Sequence, residues 1–435
     1  MKKIVASVGL VALSASAVEA ALIPGIDEAN KPWSVALTLR GFYDDNRATA
    51  PDNSPAKEGS WGIEVSPSIN LDFKWEQTTL KAWYVYSYKW HDKVIPGETG
   101  HSDSTHIFNA QLDHIFNERY NLTLRDSFVV GQEPDVLRTG NSFTTFQRIS
   151  GNNMRNDGDI IFRSQWTPLF GTEVGYGNAW FDYDNSGGTG ADPSFSGLLD
   201  RVEHRGHLDG RFLVTPELVA LAGYQFRAVG YTADEEIGFT SRPDLPVVFS
   251  DNKNFYEHYF YVGAEQVFNP QLTASVRVGA RYLDFYNDPS GSGNGWGPYA
   301  MLNVRYIYTA DSYVELGLSH DMNATDVVGG GVSAGTGPSS FTASSESTSV
   351  YGSVNHKITP KLRGSVIGQY QHSTFSGGFL DGESENYYLI GLNLTYVFTP
   401  HFSAEVGYNY DNLGSESPGR SFDRNRVYIG VTGRY

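Results

Sequence analysis

Apolar and polar side chains alternate strictly over segments of about eleven residues, and this alternation limits the possible folds more than any other feature. In residues 272–282, Leu272 and Val278 fall on one face and Arg277 on the other, and residues 388–398 show the same division. Successive side chains of a β-strand point to opposite faces, so a period of two predicts strands with one apolar and one polar face. No apolar run approaches the roughly 18 residues that a membrane helix needs.

A short phrase lies between pairs of these segments: an apolar residue, then Thr or Asn, then Pro. The prolines of its five copies are Pro168, Pro216, Pro270, Pro360 and Pro400. Proline presets φ for the first corner of a turn, and the residue before it is driven to extended geometry, so each copy predicts a tight hairpin turn. Variants at 117–120, at 309–312 and near residue 76 raise the number of short turns to eight.

Longer connections rich in Gly, Asp and Ser separate the hairpins, for example after Phe181 and after Asp326. Short turns that alternate with long loops are typical of outer-membrane barrels, whose periplasmic turns are tight and whose outer loops are long. Eight turns join sixteen strands, and segments near 33–43 and 424–435 bring the total to about 18, within a range of 16–18. We therefore predict an all-β fold, a closed transmembrane antiparallel up-and-down β-barrel with short periplasmic turns and long extracellular loops.

Two soluble β-folds are alternatives to the barrel. A β-propeller repeats every 40 to 50 residues but needs four short strands in each repeat, whereas each repeat here holds two long ones. A sandwich rarely needs so many strands of this length. Ten residues that tilt near 45° span roughly 24 Å, which matches the apolar band of the outer membrane.

Residues 1–20 predict a secretory signal peptide, because Lys2 and Lys3 precede a short apolar stretch and small residues precede Ala21. Residues 21–32 are then a periplasmic N-terminal segment and residues 33–435 form the barrel. Without Lys2, Lys3 and Glu19, 32 basic and 49 acidic residues become 30 and 48, a net charge of about −18. This negative net charge argues against nucleic acid as a partner. The absence of cysteine excludes a thiolate metal site or a cysteine nucleophile.

Two short segments carry a resemblance to known proteins. The chain ends in "VYIGVTGRY", and a last strand with the terminal aromatic Tyr435 resembles the signal that the barrel-assembly machinery recognises. Residues 43–46, Tyr-Asp-Asp-Asn, resemble the opening of the putative β-barrel porin families of Gram-negative bacteria, some of which accompany exopolysaccharide gene clusters. The resemblance implies an outer-membrane location, contact with the lipid bilayer and lipopolysaccharide, and no catalytic residues or cofactor.

The polar strand faces are the candidate pore lining, because a barrel of 16 to 18 strands leaves an aqueous channel. The predicted pore-lining residues are Glu203, Arg205, Asp209, Arg211, Arg227, Glu257, Glu265, Arg277, Arg281, Arg305, Glu315 and Asp321. Such charges would select solutes by charge, and we expect neutralisation of Arg277 and Arg281 to abolish ion selectivity. The alternative is that these groups pair across strands and only brace the wall.

A wide barrel needs a constriction, and the loop at 132–153 is the first candidate because its Phe143, Phe146 and Arg148 could pack against an inner wall. The loop that begins at Glu235 is the alternative. An outer loop that packs over the barrel mouth would show the same composition.

Aromatic residues beside the short turns predict a periplasmic girdle at the level of the lipid headgroups. These girdle residues are Trp166, Phe268, Tyr306, Phe398, Phe402 and Tyr435. A sugar-binding line of inward aromatics is the alternative use of aromatic residues in a barrel. Its candidates, Trp83, Tyr259, Tyr261 and Tyr299, are scattered in the sequence.

An enzyme or a metal site would need clustered ligands, and the sequence predicts neither. His204 and His207 are three residues apart on a strand and so face opposite ways. Four other histidines fall on or near the outward face: His106, His258, His320 and His356. We predict a porin for the passive diffusion of small hydrophilic solutes. A homotrimer is a possible assembly of this porin. The alternative function is that of a plugged barrel for exopolysaccharide export or surface attachment.

Overall fold

Eighteen of the alternating segments form long antiparallel strands, and the sheet that they build closes on itself. The structure, a computed structural model, describes residues 31–96, 100–132, 152–187, 194–238, 248–287, 294–327, 342–377 and 380–435. The predicted closed barrel of about 18 strands is therefore confirmed.

The strands are numbered in chain order. The first nine are β1 Trp33–Asp44, β2 Ser60–Lys74, β3 Thr78–His91, β4 Ser102–Ile115, β5 Tyr120–Gly131, β6 Asn153–Gln165, β7 Phe170–Tyr183, β8 Arg201–Thr215 and β9 Leu218–Tyr231. A small hairpin of β10 Glu236–Gly238 and β11 Val248–Phe249 follows in the next loop. The barrel continues with β12 Phe255–Asn269, β13 Leu272–Asp284, β14 Gly295–Thr309, β15 Ser312–Asn323, β16 Ser344–Lys357, β17 Leu362–Ser376, β18 Ser384–Thr399, β19 Phe402–Ser415 and β20 Phe422–Arg434.

In the described ranges, helical structure occurs only in the loops. The helix α1, Phe195–Leu199, precedes β8, and a 3-10 turn, Ser250–Lys253, precedes β12. Ser194 caps α1, since its hydroxyl accepts a hydrogen bond from the backbone N–H of Gly197 at 2.9 Å. None of the helices in the described ranges is long and apolar enough to cross a membrane.

The barrel closes where its first and last strands meet. β1 pairs with β2 on one side and with β20 on the other, from Ala36 opposite Arg434 to Asp44 opposite Arg426. Val35 and Tyr435 extend this seam by exchanging two backbone hydrogen bonds of 3.0 and 2.9 Å. Closure leaves the sheet without a free edge, which a lipid environment requires because it offers no hydrogen-bonding partner.

In three of the five turns, the Thr or Asn before the proline has a second role that the turn prediction did not include. The Thr167 and Thr359 hydroxyls accept hydrogen bonds from the backbone N–H groups of Phe170 (3.0 Å) and Leu362 (2.9 Å). The Asn269 amide oxygen accepts one from Leu272 at 2.9 Å. A short polar side chain at this position satisfies a backbone donor that the tight turn leaves without a strand partner.

Candidate functional site

All twelve predicted pore-lining residues share the inward parity of their strands, β8, β9 and β12 to β15, although Asp321 lies beyond the point where β15 stops pairing with β14. Arg205 lies opposite Arg227, and Arg305 lies opposite Glu315, in the pairing registers of these strands. Positions of the other parity carry exposed apolar side chains such as Phe260, which face lipid. The strand alternation therefore brings the twelve charges to one face, while their role in selecting solutes remains a prediction.

Most of these charges are joined in ion pairs across strands. Arg211 Nη2 lies 2.6 Å from Glu265 Oε2, and Arg277 Nη2 lies 3.2 Å from Asp209 Oδ2. The same pattern continues with Arg227, which contacts Glu203 at 3.2 Å and Glu257 at 3.3 Å. Cross-strand pairs of opposite charge stabilise a sheet, so this part of the wall has the arrangement expected for bracing.

The exposed part of the charged wall lies on β6 and β8. Arg205 Nη2 is 2.7 Å from Asp157 and 3.9 Å from Asp159, and the three side chains are 33, 41 and 38 % exposed. We call these three residues the exposed strip. By contrast, the Arg281 side chain is only 5 % exposed and lies 3.6 Å from the fully buried Glu257. Arg205 is therefore better placed than Arg281 to meet a solute.

Asp157 and Asp159 were missed by the sequence reasoning, although a signal was present. In "MRNDGDIIF", Arg155, Asp157 and Asp159 alternate with the other face of β6. The same alternation on β8 led to the prediction of Arg205. Other ion pairs on the inner face could not be predicted from the sequence pattern. Arg40 binds Glu405 at 2.6 Å, although the two residues are 365 positions apart, because the seam of the barrel brings them together.

The extracellular ends of β15 and β16 leave the barrel wall and lean over the lumen. Pairing between β14 and β15 stops at Ala300 opposite His320, but β15 continues beside β16 to Asn323. Arg227 Nη1 donates to the Met322 carbonyl at 3.4 Å. We call these ends the β15–β16 tip (residues 321–323 and 344–346). Because Arg227 lies on the inner face of β9, the tip covers part of the inner wall.

The bend changes the surroundings of His320, which was expected near the outward face. Its Nε2 lies 3.2 Å from Glu346 Oε1, and Arg281 Nη2 lies 3.0 Å from the other carboxylate oxygen. Arg281 belongs to the inner face of β13. The strand pattern alone gave the wrong environment for His320 because the strand bends toward the lumen at that residue.

Two extracellular loops pack inside the mouth of the barrel. Leu199 from α1 and Ile237 and Val248 from the β10–β11 hairpin are almost fully buried. They form one apolar cluster with Phe255 and Leu283, which lie on the inner face of the wall. We call this group the mouth cluster. It narrows the extracellular entrance beside the charged wall.

Lys253 joins the loops around the mouth cluster. Its fully buried ammonium donates to the carbonyl oxygens of Leu198 and Thr325, each at 3.1 Å, and lies 4.8 Å from the centre of the Tyr231 ring. Burial lowers the pKa of Lys253 to about 7, helped by the positive charge of Arg201. One side chain thus holds together the loops before β8, β12 and β16.

The predicted constriction residues Phe143, Phe146 and Arg148 lie outside the described residues, so their role stays a prediction. The alternative loop, which begins at Glu235, is described at both ends. Its Ile237 and Val248 belong to the mouth cluster.

The inward tyrosines are less scattered than their spacing in the sequence suggested. The ring centre of Tyr299 lies 5.1 Å from that of Tyr259 and 5.8 Å from that of Tyr261. The Tyr259 hydroxyl donates to Glu257 at 2.6 Å, and the Tyr261 hydroxyl to Asp209 at 2.5 Å. These buried rings are bonded to the charged wall, which favours a bracing role over a sugar-binding surface.

The predicted girdle residues share an exposed position at the periplasmic end of the barrel. They are Trp166, Phe268, Tyr306, Phe398, Phe402 and Tyr435. Ring contacts connect several of them: Phe398 lies 5.5 Å from Phe402, and Tyr435 lies 5.9 Å from Trp33. Exposed aromatic rings beside the turns are what a lipid interface requires, and the girdle role stays a prediction.

His204 and His207 do face opposite sides of β8. The His204 ring bonds the Tyr176 hydroxyl on the outer face, whereas His207 Nε2 lies 3.3 Å from Glu173 on the inner face. Within the part of the chain that the structure describes, no group of three or more His, Asp or Glu side chains is arranged to hold a metal ion.

Comparisons with known proteins identify relatives of one part of the chain. Residues 331–435, which include β16 to β20, match the family model "Putative beta-barrel porin 2". This part of the chain is similar to that family. The resemblance predicted from the sequence is confirmed over these residues. No curated protein matches the chain.

Several solved structures resemble this chain over most of its length. OccAB4 of Acinetobacter baumannii is 14 % identical, with 94 % of this chain and 99 % of that chain covered and a TM-score of 0.42. OpdK of Pseudomonas aeruginosa, solved with vanillate, is 12 % identical over 93 and 99 %, with a TM-score of 0.43. A BenF-like porin of Pseudomonas fluorescens Pf-5 is 11 % identical over 93 and 99 %, with a TM-score of 0.44.

Proposed function

We propose that this protein is a porin of the Gram-negative outer membrane through which small hydrophilic solutes diffuse passively, without enzymatic activity. The observation that supports the proposal is the exposed strip of Asp157, Asp159 and Arg205 on the inner face of a closed barrel of eighteen strands. A barrel of this size encloses more space than its side chains fill, so water in the lumen contacts the charged side chains of the wall. Loops at the mouth narrow the path, and the wall charges bias which ions pass.

Single-channel recording tests the proposal. We expect the refolded mature protein to form stable openings in a planar bilayer, with a reversal potential under a salt gradient that reports ion selectivity. A properly folded barrel that stays electrically silent would contradict the porin proposal.

The exposed strip should set part of the ion selectivity. Arg205→Gln leaves two uncompensated carboxylates, so the reversal potential should shift toward cations; the double change of Asp157→Asn and Asp159→Asn should shift it toward anions. Arg281→Gln is the matched control, because this buried arginine should change stability more than selectivity. An unchanged reversal potential in Arg205→Gln would show that the selective charges lie elsewhere, and an equal shift in Arg281→Gln would contradict the special role of the exposed strip.

A second candidate function is a plugged barrel that serves exopolysaccharide export or surface attachment. The mouth cluster favours it, and so does the burial of the polar inner-face residues Ser347, Ser349 and Gln371 on β16 and β17. A silent barrel whose outer loops bind an acidic or neutral polysaccharide would support this function instead of the first.

Three partners belong to the same proposal: lipopolysaccharide around the barrel, the barrel-assembly machinery that reads the strand ending in Tyr435, and two further copies in a homotrimer. The trimer is supported by a groove of about 560 Å³ on the outer surface, whose lining includes Gly210, Ala222 and Val262. Small side chains there would let a second barrel approach closely. The mass of the protein–detergent complex, measured by light scattering, tests the trimer.

A further inference from the structure

Three pairs of neighbouring strands carry the same polar pair on their outer faces. In each pair a tyrosine hydroxyl bonds Nδ1 of a histidine on the next strand. The pairs are Tyr84 with His106 at 2.9 Å, Tyr176 with His204 at 2.8 Å, and Tyr224 with His258 at 2.8 Å. In all three, the histidine is two positions before the residue that lies directly opposite the tyrosine.

The three histidines also lie at the same height on the barrel. Each is ten residues above an exposed apolar residue near a periplasmic turn: Phe116, Val214 and Phe268 respectively. Ten residues of a strand tilted by about 40° rise about 26 Å, close to the thickness of the apolar band of roughly 25 Å. The imidazoles therefore lie where the hydrocarbon ends and the headgroups of the outer leaflet begin.

The tyrosine fixes which imidazole atom faces the lipid. Because a phenol is a stronger acid than a neutral imidazole N–H, the hydroxyl donates the hydrogen bond to Nδ1, and the single proton of the neutral ring resides on Nε2. No hydrogen bond joins Nε2 of His106, His204 or His258 to the described part of the chain. The pair thus presents an N–H donor to whatever molecule covers the outer face at this level.

We propose that His106, His204 and His258 are binding sites for phosphate groups on the lipid headgroups of the outer leaflet. Lipid covers the outward face of a membrane barrel, so the partner at this height is a headgroup. A phosphate oxygen accepts the hydrogen bond from Nε2–H, and the negative charge of the phosphate strengthens this bond. The tyrosine acts as a positioning residue that holds the ring in this orientation.

Binding of lipid A to the refolded full chain in a non-ionic maltoside micelle tests the proposal. The probes are lipid A, lipid A from which the phosphates have been removed, and inorganic phosphate alone. We expect lipid A to bind about tenfold more tightly than its dephosphorylated form, and free phosphate not to bind measurably. The triple variant His106→Phe, His204→Phe, His258→Phe should lose this preference.

His207→Phe is the matched control, since His207 lies on the same strand as His204 but faces the lumen. The three single variants are measured too, so that the result does not depend on refolding of the triple variant; each should lose part of the preference. Equal affinity for the two forms of lipid A, or an unchanged preference in folded variants, would overturn the proposal. Binding of free phosphate at the same sites would also overturn it, because the headgroup would then not be the ligand.

Discussion

At the scale of single residues, Lys253 is the most unusual side chain of the loops. Its ammonium is fully buried among backbone carbonyls, with Arg201 and Asp326 as the charged neighbours that affect its pKa. Two backbone acceptors do not replace the hydration of an ammonium, so burial disfavours the charged form. The loops therefore gain a crosslink whose strength depends on pH.

The pH dependence of stability should show the contribution of Lys253. Its pKa is about 7 in the folded chain and near 10.5 when unfolded. Below pH 7 both states hold the proton, and the full cost of burying the charge is present. Between about pH 7 and pH 10.5 the unfolded chain binds more protons than the native chain, so the free energy of unfolding should rise with pH. Lys253→Met should flatten that rise, as measured by urea unfolding in detergent.

Lys93→Met is the control for this measurement, because Lys93 is a half-exposed loop lysine that bonds Glu58 at the surface. Its pKa is raised by Glu58, so Lys93→Met should leave the pH profile unchanged between about pH 7 and 10.5, where Lys253 acts. Parallel profiles for Lys253→Met and the natural chain would contradict the role given to Lys253.

At the scale of elements, the β15–β16 tip shows how a strand can serve both the wall and the mouth. The lower part of β15 pairs with β14, whereas the tip lies against the inner wall, where Met322 is buried and Glu346 binds Arg281. The tip is held by the buried Met322 side chain and by polar contacts of Arg227 with the Met322 carbonyl, of Arg281 with Glu346 and of the Tyr259 hydroxyl with Asp321. A small number of substitutions should therefore release it.

The double change Met322→Ala and Glu346→Gln should raise the single-channel conductance. Loss of the buried methionine costs about 2 to 5 kcal/mol, and the neutral amide no longer pairs with Arg281, so the tip should leave the inner wall. Glu315→Gln is the control, since Glu315 lies lower on β15, outside the tip, and accepts a hydrogen bond from Asn303. An unchanged conductance in the double variant would mean that the tip does not limit the path.

At the scale of the whole molecule, the barrel depends on the seam between β1 and β20. Tyr435 forms two backbone hydrogen bonds with Val35 and a ring contact with Trp33. The Lys31 ammonium lies over the Tyr435 ring, 4.0 Å from the ring centre. The last residue thus completes the closure that keeps the edge strands away from lipid.

Deletion of Tyr435 should weaken the seam by about 2 to 4 kcal/mol, the sum expected for two backbone hydrogen bonds and one aromatic contact. Heat-modifiable migration of the refolded barrel on a gel measures the loss. Tyr435→Phe keeps the backbone bonds and the ring, so it should retain nearly full stability. If the deletion and Tyr435→Phe behave alike and like the natural chain, the seam does not depend on this residue.

The barrel architecture follows from local signals in the sequence. Strand periodicity, five Thr/Asn-Pro turns and the alternation of turn and loop lengths predicted the eighteen strands, since each of these signals is local and acts within about a dozen residues. Alternation also assigned Arg205 and Arg281 to one face. Alternation could not predict that Arg205 is more exposed than Arg281, because the exposure of each side chain depends on what packs over the wall.

Tertiary structure alone decided the mouth and the seam. Lys253 contacts the carbonyl oxygens of Leu198 and Thr325, which are 55 and 72 positions away, and Arg40 meets Glu405 only when the sheet closes. The inward course of the β15–β16 tip reverses the environment of His320 without any change in strand pattern. Period-two alternation specifies the face of a strand relative to its neighbours, whereas the direction in which a strand end bends is set by packing between elements that are distant in sequence.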